Sequence, residues 1–184
     1  MSEKSRFEVR LAGSGGQGLM LAGIILAEAA IYDGKNAAYT QSYGPEARGG
    51  ASRSEVVIAE GDIDYPKVTS ADLMLCMSQE SCDKYFYDLK HQGCLITDTR
   101  QVSRTPTSRA YAVDISGLAV EVTGRAITAN VVALGLIVGL TGIVSRRAIE
   151  AAVTARAPQG TKEINLKALA AGLEEAERLK AGNE

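Results

Sequence analysis

Apolar and charged residues alternate at the start of the chain, where Phe7-Glu8-Val9-Arg10-Leu11 has the period of two expected of a strand. The period then changes. From Leu19 to Tyr32, Leu21, Ala22, Ile25, Leu26 and Ala29 recur at helical spacing. Asp33-Gly34-Lys35-Asn36 reads as a turn and Ala37–Thr40 as a second strand. Ser52–Ala59 reads as a third, with Glu60-Gly61-Asp62 as a tight turn and Ile63-Asp64-Tyr65 as a short return, an inserted β-hairpin closed by Pro66. The all-apolar run Leu73–Met77 fits a strand buried on both faces. A helix is expected from Glu80 to His91, with Cys82, Phe86 and Leu89 inward and Gly93 as its stop.

Further strands are expected at Cys94–Asp98 and Ala110–Asp114, separated by the polar stretch Arg100–Arg109. Helices are then expected over Ile115–Thr123, within the apolar run Ile127–Val144, from a Ser145 cap to Arg156, and from Lys162 to Lys180. The order of these elements predicts an α/β fold: a three-layer, Rossmann-like domain with a mostly parallel sheet, the inserted hairpin and a C-terminal helical segment. At 184 residues the whole chain, 1–184, is read as a single domain. Ile127–Val144 carries Gly135 and Gly139 in a G-x-x-x-G pattern, but it is short for a span and holds Thr128, Asn130 and Thr141. It reads as a buried helix whose glycines allow close approach to a neighbour.

Composition removes several classes of function. The formal net charge of −2 offers no electrostatic case for nucleic acid. The polar start Met1–Arg6 lacks the apolar run of a secretory signal, so a cytoplasmic, non-membrane protein is expected. Cys76, Cys82 and Cys94 form no C-x-x-C pair, so no metal or iron–sulfur site is expected on this chain. His91, the only histidine, falls in the last turn of the expected helix, where it would compensate the helix dipole. No Ser-His-Asp set and no G-x-S-x-G elbow is present, so no catalytic residue is assigned.

Two loops carry the candidate chemistry. The first is Gly13-Ser14-Gly15-Gly16-Gln17-Gly18, set between a strand and a helix. A helix N-terminus leaves amide donors unpaired, and glycine lets that backbone approach an anion closely. Phosphate binding is the functional reading; a tight βα turn that binds nothing is the alternative. The spacing matches G-x-G-x-x-G, but Tyr39, Thr40 and Gln41 stand where a dinucleotide site places an acid for the ribose, which counts against NAD. The second loop, Gln41–Ala51, sets Arg48 beside Gly49-Gly50. Arg48 there either clamps a phosphate or carboxylate bidentately or pairs with Glu46 in solvent. Both loops follow strands, so both should lie at one edge of the sheet.

Gly13–Gly18 with Ala22-Gly-Ile-Ile-Leu-Ala-Glu-Ala-Ala30, together with Gln41-Ser-Tyr-Gly-Pro-Glu-Ala-Arg-Gly-Gly-Ala-Ser52, resembles the γ subunit of the 2-oxoacid:ferredoxin oxidoreductases. Looser matches at Asp72, Asn130–Gly135 and Asn165–Gly172 extend the resemblance over nearly the whole chain. The resemblance implies an oxygen-sensitive, multi-subunit enzyme of anaerobic metabolism. Such an enzyme decarboxylates a 2-oxoacid on thiamine diphosphate, passes electrons through iron–sulfur clusters to ferredoxin, and releases an acyl-CoA.

It implies that thiamine diphosphate, Mg and the clusters sit on partners: alpha and beta (thiamine-binding) subunits and a ferredoxin-like subunit. Coenzyme A is the co-substrate expected at this chain, in contact with Gly13, Ser14, Gly15, Gly16, Gln17, Gly18, Ser42, Tyr43, Glu46, Arg48 and Gly49. Amides of Gly15, Gly16 and Gly18 would be the anion donors, Gln17 a polar contact and Arg48 the charge clamp. The segment 41–51 reads most like the 2-oxoglutarate-specific members, with pyruvate, branched-chain and indolepyruvate members as alternatives. A free-standing nucleotide-binding domain and a purely structural interaction subunit are the rival classes.

Overall fold

The structure, a computed structural model, describes residues 6–42 and 50–182. The six strands are β1 (Arg6–Ser14), β2 (Asn36–Ser42), β3 (Ala51–Ala59), β4 (Ala71–Cys76), β5 (Leu89–Asp98) and β6 (Tyr111–Val113). They form one sheet in the order β2-β3-β1-β4-β5-β6. β1, β4, β5 and β6 are successively parallel, while β3 runs antiparallel to both β1 and β2. Five strands therefore share one direction and only β3 opposes them, in keeping with the mostly parallel sheet that the alternating pattern predicts.

Six helices complete the fold: α1 (Leu19–Tyr32), α2 (Gln79–Tyr85), α3 (Ile115–Thr123), α4 (Ala129–Thr141), α5 (Arg146–Arg156) and α6 (Lys162–Ala181). α1, α3, α4, α5 and α6 bury their apolar sides together on one face of the sheet. α2 and the loop residues Val68 and Val102 cover the other. β4 serves both layers. Leu73 and Leu75 join the first core, Met74 and Cys76 the second, which explains its unbroken apolar run.

α4 is enclosed on every side, with Ala129 to Val138 all buried. Its G-x-x-x-G spacing makes a helix crossing inside the chain. A methyl group at Gly135 would lie 2.4 Å from the Leu169 carbonyl oxygen, and one at Gly172 would lie 2.0 Å from that of Val132. Small residues let the α4 and α6 backbones touch, so this segment is a buried core helix, as its length and polar residues indicate. Among the described residues no helix is long and apolar enough to cross a membrane. Ser145 caps α5 as expected: its Oγ accepts from the Ala148 amide at 3.1 Å and donates to Asp33 at 2.6 Å.

Two local expectations are corrected. The hairpin partner of β3 is β2, in unbroken register from Asn36↔Ala59 to Ser42↔Arg53. Ile63-Asp64-Tyr65 form no strand. Three residues stopped by Pro66 offer few ladder bonds, whereas β2 offers seven paired residues. The helix expected to reach His91 ends at Tyr85; a 3₁₀ turn, Phe86–Asp88, follows and β5 begins at Leu89. Cys82, Phe86 and Leu89 have helical spacing, but parallel pairing of Ala71 with Leu89 captures the segment for the sheet. His91 is therefore an exposed strand residue whose carbonyl accepts from Arg109, and Gly93 lies within β5. Neither has the helix-end role that the periodicity assigned.

Candidate ligand-binding site

The glycine loop joins β1 to α1, and each glycine in it answers a different constraint. At Gly13 there is no room for a side chain, since a Cβ would meet Gln17 Oε1 at 2.2 Å and Met77 Cβ at 3.0 Å. Gly16 and Gly18 have φ of +86° and +75°, which L side chains rarely adopt. Gly15 and Gly16 are exposed, with nothing within 4 Å of where a Cβ would stand. Among the described residues their amides have no acceptor. They stand at the N-terminal end of a 14-residue helix with no acid in its first turn, where the helix dipole favours an anion.

The side chains around the loop hold its shape. Gln17 Oε1 accepts from the Ser14 amide at 2.8 Å, and Gln17 Nε2 donates to the Met77 carbonyl at 2.7 Å. Gln17 thus braces the loop against the end of β4. Asn130, at the start of α4, donates from Nδ2 to the Gly18 carbonyl at 3.1 Å. A single polar amide in an otherwise apolar helix was the signal for this clasp, though nothing local identifies Gly18 as its partner.

Register places Ser42 and Ala51, which flank the second loop, at the edge of the sheet where the first loop lies. Ser14 opposes Ala51 across β1 and β3, and Ser42 opposes Arg53 across β3 and β2. Ser42 is exposed and lies two strand spacings from β1, about 9.5 Å. Gly13–Gly18 and Ser42 therefore meet at one sheet edge, where the parallel strands end. Tyr43, Glu46, Arg48 and Gly49 lie outside the described residues.

A residue not singled out by motif stands at the same edge. Arg53 shares a face with its cross-strand neighbours Ala12 and Ser42. Its side chain is 34% exposed, its guanidinium lies 5.4 Å from the centre of the Tyr85 ring, and its nearest carboxylate, Glu55, is 3.6 Å away. Glu55 is already engaged by Arg10, which is buried and bonds to it through Nε at 2.9 Å and Nη2 at 2.8 Å. Arg10 also pairs with Asp88. The alternation of Arg10 and Glu55 with apolar neighbours located the strands, but burial of both charges on the inner side of α2 was not legible from it.

The cysteines offer no open nucleophile. Cys76 and Cys82 are fully buried and hydrogen-bonded to one another. That bond, with burial, pushes the Cys76 thiol well up, while the same bond draws Cys82 below the ordinary thiol value. Burial raises Cys94 to about 11. Among the described residues no cluster of three or more His, Cys, Asp or Glu side chains could hold a metal ion. What the edge can do chemically is bind a phosphate-bearing group through backbone amides.

Comparison with known proteins agrees with this architecture. The chain is 46% identical over 181 residues to the 2-oxoglutarate synthase subunit KorC of Methanocaldococcus jannaschii, covering 96% of this chain and 97% of that one. It superposes on the gamma subunit of a keto/oxoacid ferredoxin oxidoreductase from Geobacter sulfurreducens with a TM-score of 0.87 at 49% identity, over 95% of this chain and 98% of that one. The fold recurs, at 21% identity and a TM-score of 0.84, in about a third of a longer chain: the 2-oxoglutarate:ferredoxin oxidoreductase of Magnetococcus marinus, solved with 2-oxoglutarate, coenzyme A and succinyl-CoA bound. The sequence profile of the pyruvate ferredoxin/flavodoxin oxidoreductase family matches residues 8–175. With that family match and relatives aligned over nearly their whole length, the chain belongs to the pyruvate ferredoxin/flavodoxin oxidoreductase family, as a gamma-type subunit of a multi-subunit oxidoreductase.

Proposed function

We propose that this chain, folded as one gamma-type unit, serves a cytoplasmic 2-oxoglutarate:ferredoxin oxidoreductase and supplies the phosphate-binding region for coenzyme A. The reaction of the assembled enzyme is oxidative decarboxylation: 2-oxoglutarate, coenzyme A and oxidised ferredoxin give succinyl-CoA, carbon dioxide and reduced ferredoxin. The carrying observation is the pair of exposed amides at Gly15 and Gly16, without acceptors among the described residues, in a chain similar end to end to a 2-oxoglutarate synthase subunit. Thiamine diphosphate with Mg and the iron–sulfur clusters belong to the alpha, beta and ferredoxin-like partners, and ferredoxin is the acceptor. Thiamine supplies the electron sink for decarboxylation.

The residues of this chain bind and orient. Gln17 and Asn130 hold the loop open, so that its amides need little rearrangement when a diphosphate arrives. Gln17, spent on bracing, acts indirectly. No carboxylate stands at the end of β2, where Thr40, Gln41 and Ser42 lie, which disfavours a ribose-binding dinucleotide site.

An anaerobic pull-down of the tagged chain from its native cells tests the assignment. The eluate is assayed for CoA-dependent viologen reduction with 2-oxoglutarate, pyruvate, branched-chain 2-oxoacids and indolepyruvate in parallel. Co-purification of thiamine-binding and iron–sulfur subunits with preference for 2-oxoglutarate is expected; another preferred acid overturns the substrate. In the assembled enzyme, Gly16→Val forces a side chain into a positive-φ position at the open face of the loop. It should raise the KM for CoA about tenfold or more with assembly intact, and an unchanged KM would remove CoA from this loop.

A further inference from the structure

Among the cations at the ligand edge, Arg53 is held in place yet left without a hydrogen-bond partner among the described residues. A guanidinium carries five N–H donors in a rigid fork. Its carboxylate neighbour, Glu55, lies at 3.6 Å, beyond hydrogen-bond distance, and is already committed to Arg10 and to the Thr40 hydroxyl at 3.3 Å. The Tyr85 ring, which also lies 5.5 Å from Arg10 and 5.4 Å from Lys84, approaches the guanidinium to 5.4 Å without consuming a donor. The side chain is one-third exposed, and its backbone lies between Ser42 and Ala12, one register step before Gly13. A partly exposed cation beside a ring and served only loosely by a shared carboxylate suits an external acceptor with several oxygens.

Resting on the reading of this edge as a CoA site, the geometry points to Arg53 as the residue that receives the 3′-phosphate of coenzyme A. The division of labour follows from charge. A diphosphate spreads its charge along a chain and suits successive backbone amides, whereas a terminal phosphomonoester is a compact dianion suited to a bidentate fork. Arg53 is thereby the residue that distinguishes coenzyme A from carriers lacking this phosphate.

The test uses the assembled complex and compares CoA with 3′-dephospho-CoA, measuring initial rates of viologen reduction for the unaltered enzyme and for Arg53→Gln, Arg53→Lys and Gly16→Val. The unaltered enzyme should favour CoA over dephospho-CoA by about tenfold or more in KM. Arg53→Gln should abolish that preference by raising the KM for CoA alone, with kcat and the KM for dephospho-CoA within about twofold of the unaltered enzyme. Arg53→Lys should restore part of the preference, because it returns the charge without the fork. A preference retained in Arg53→Gln, or absent from the unaltered enzyme, overturns the inference. Gly16→Val separates the two readings. If it raises the KM for both thiols while Arg53→Gln changes neither, only the Arg53 assignment fails; if no variant moves either KM, the CoA site itself is misplaced.

Discussion

The two faces of the sheet are built on different principles. One carries five helices over an apolar core, and every residue of α4 from Ala129 to Val138 is buried there. The other carries a seven-residue helix and loops, and it buries charge: Arg10 with Glu55, joined by the half-exposed Asp88, and Glu8 at the far end of the same strand. Apolar burial stabilises without regard to direction, so the helical face needs only shape. Buried ions must be paired in fixed geometry, so the α2 face is directional and easily disrupted. Arg53 grows from this charged face at the edge proposed to bind coenzyme A, where directional order would be of most use.

Four changes would sharpen or break this contrast. Gly172→Ala, on the helical face, would drive a methyl group to 2.0 Å from the Val132 carbonyl. It should destabilise by about 3 kcal/mol in chemical denaturation, even after the better helix propensity of alanine. Gly15→Ala, with open space around it, should change stability by less than about 0.5 kcal/mol. Equal effects at the two glycines would mean that the α4–α6 crossing is looser than its geometry.

On the charged face, Glu55→Gln leaves the buried Arg10 with Asp88 as its remaining carboxylate and should cost about 3 kcal/mol by urea denaturation. A cost below about 1 kcal/mol would show water reaching the cluster and would erase the distinction between the faces.

The smallest effect concerns acid. Burial works to raise the Glu8 carboxyl, but the Arg6 guanidinium and the Ser70 and Thr69 amides together hold it below its ordinary value of 4.5. An acid lowered in the folded state contributes stability above its unfolded value and loses that contribution as pH falls through the folded value. Stability measured from pH 6 downward should thus decline from about 4.5, and Glu8→Gln should show a shallower decline. An unchanged acid limb in the variant would assign the loss to other carboxylates.

Much of the molecule was legible from local pattern. Helical spacing located α1, and the Ser145 cap located the start of α5, because both signals lie within a few residues of the element they announce. The glycine loop was legible for the same reason, being a strand, a turn and a helix in succession. The error at Glu80–His91 came from a segment whose periodicity was helical but whose pairing partner, Ala71, lay outside any local window. Ile63–Tyr65 failed likewise, since β2 competed for β3 from across a long loop.

By itself the sequence determined the class of fold, most of the order of elements and the strand–glycine turn–helix form around Gly13–Gly18, since these follow from periods of two and 3.6 residues and from glycine's backbone freedom. It also held the motifs that mark the family. Only the tertiary structure decided that β3 runs against its neighbours, that Ser42 and Ser14 meet one edge, that Gln17 and Asn130 brace the loop, and that Arg53 stands ready beside it. Those outcomes depend on which distant segments win each other as partners. That competition is settled by burial and pairing over the whole chain, and short stretches do not record it.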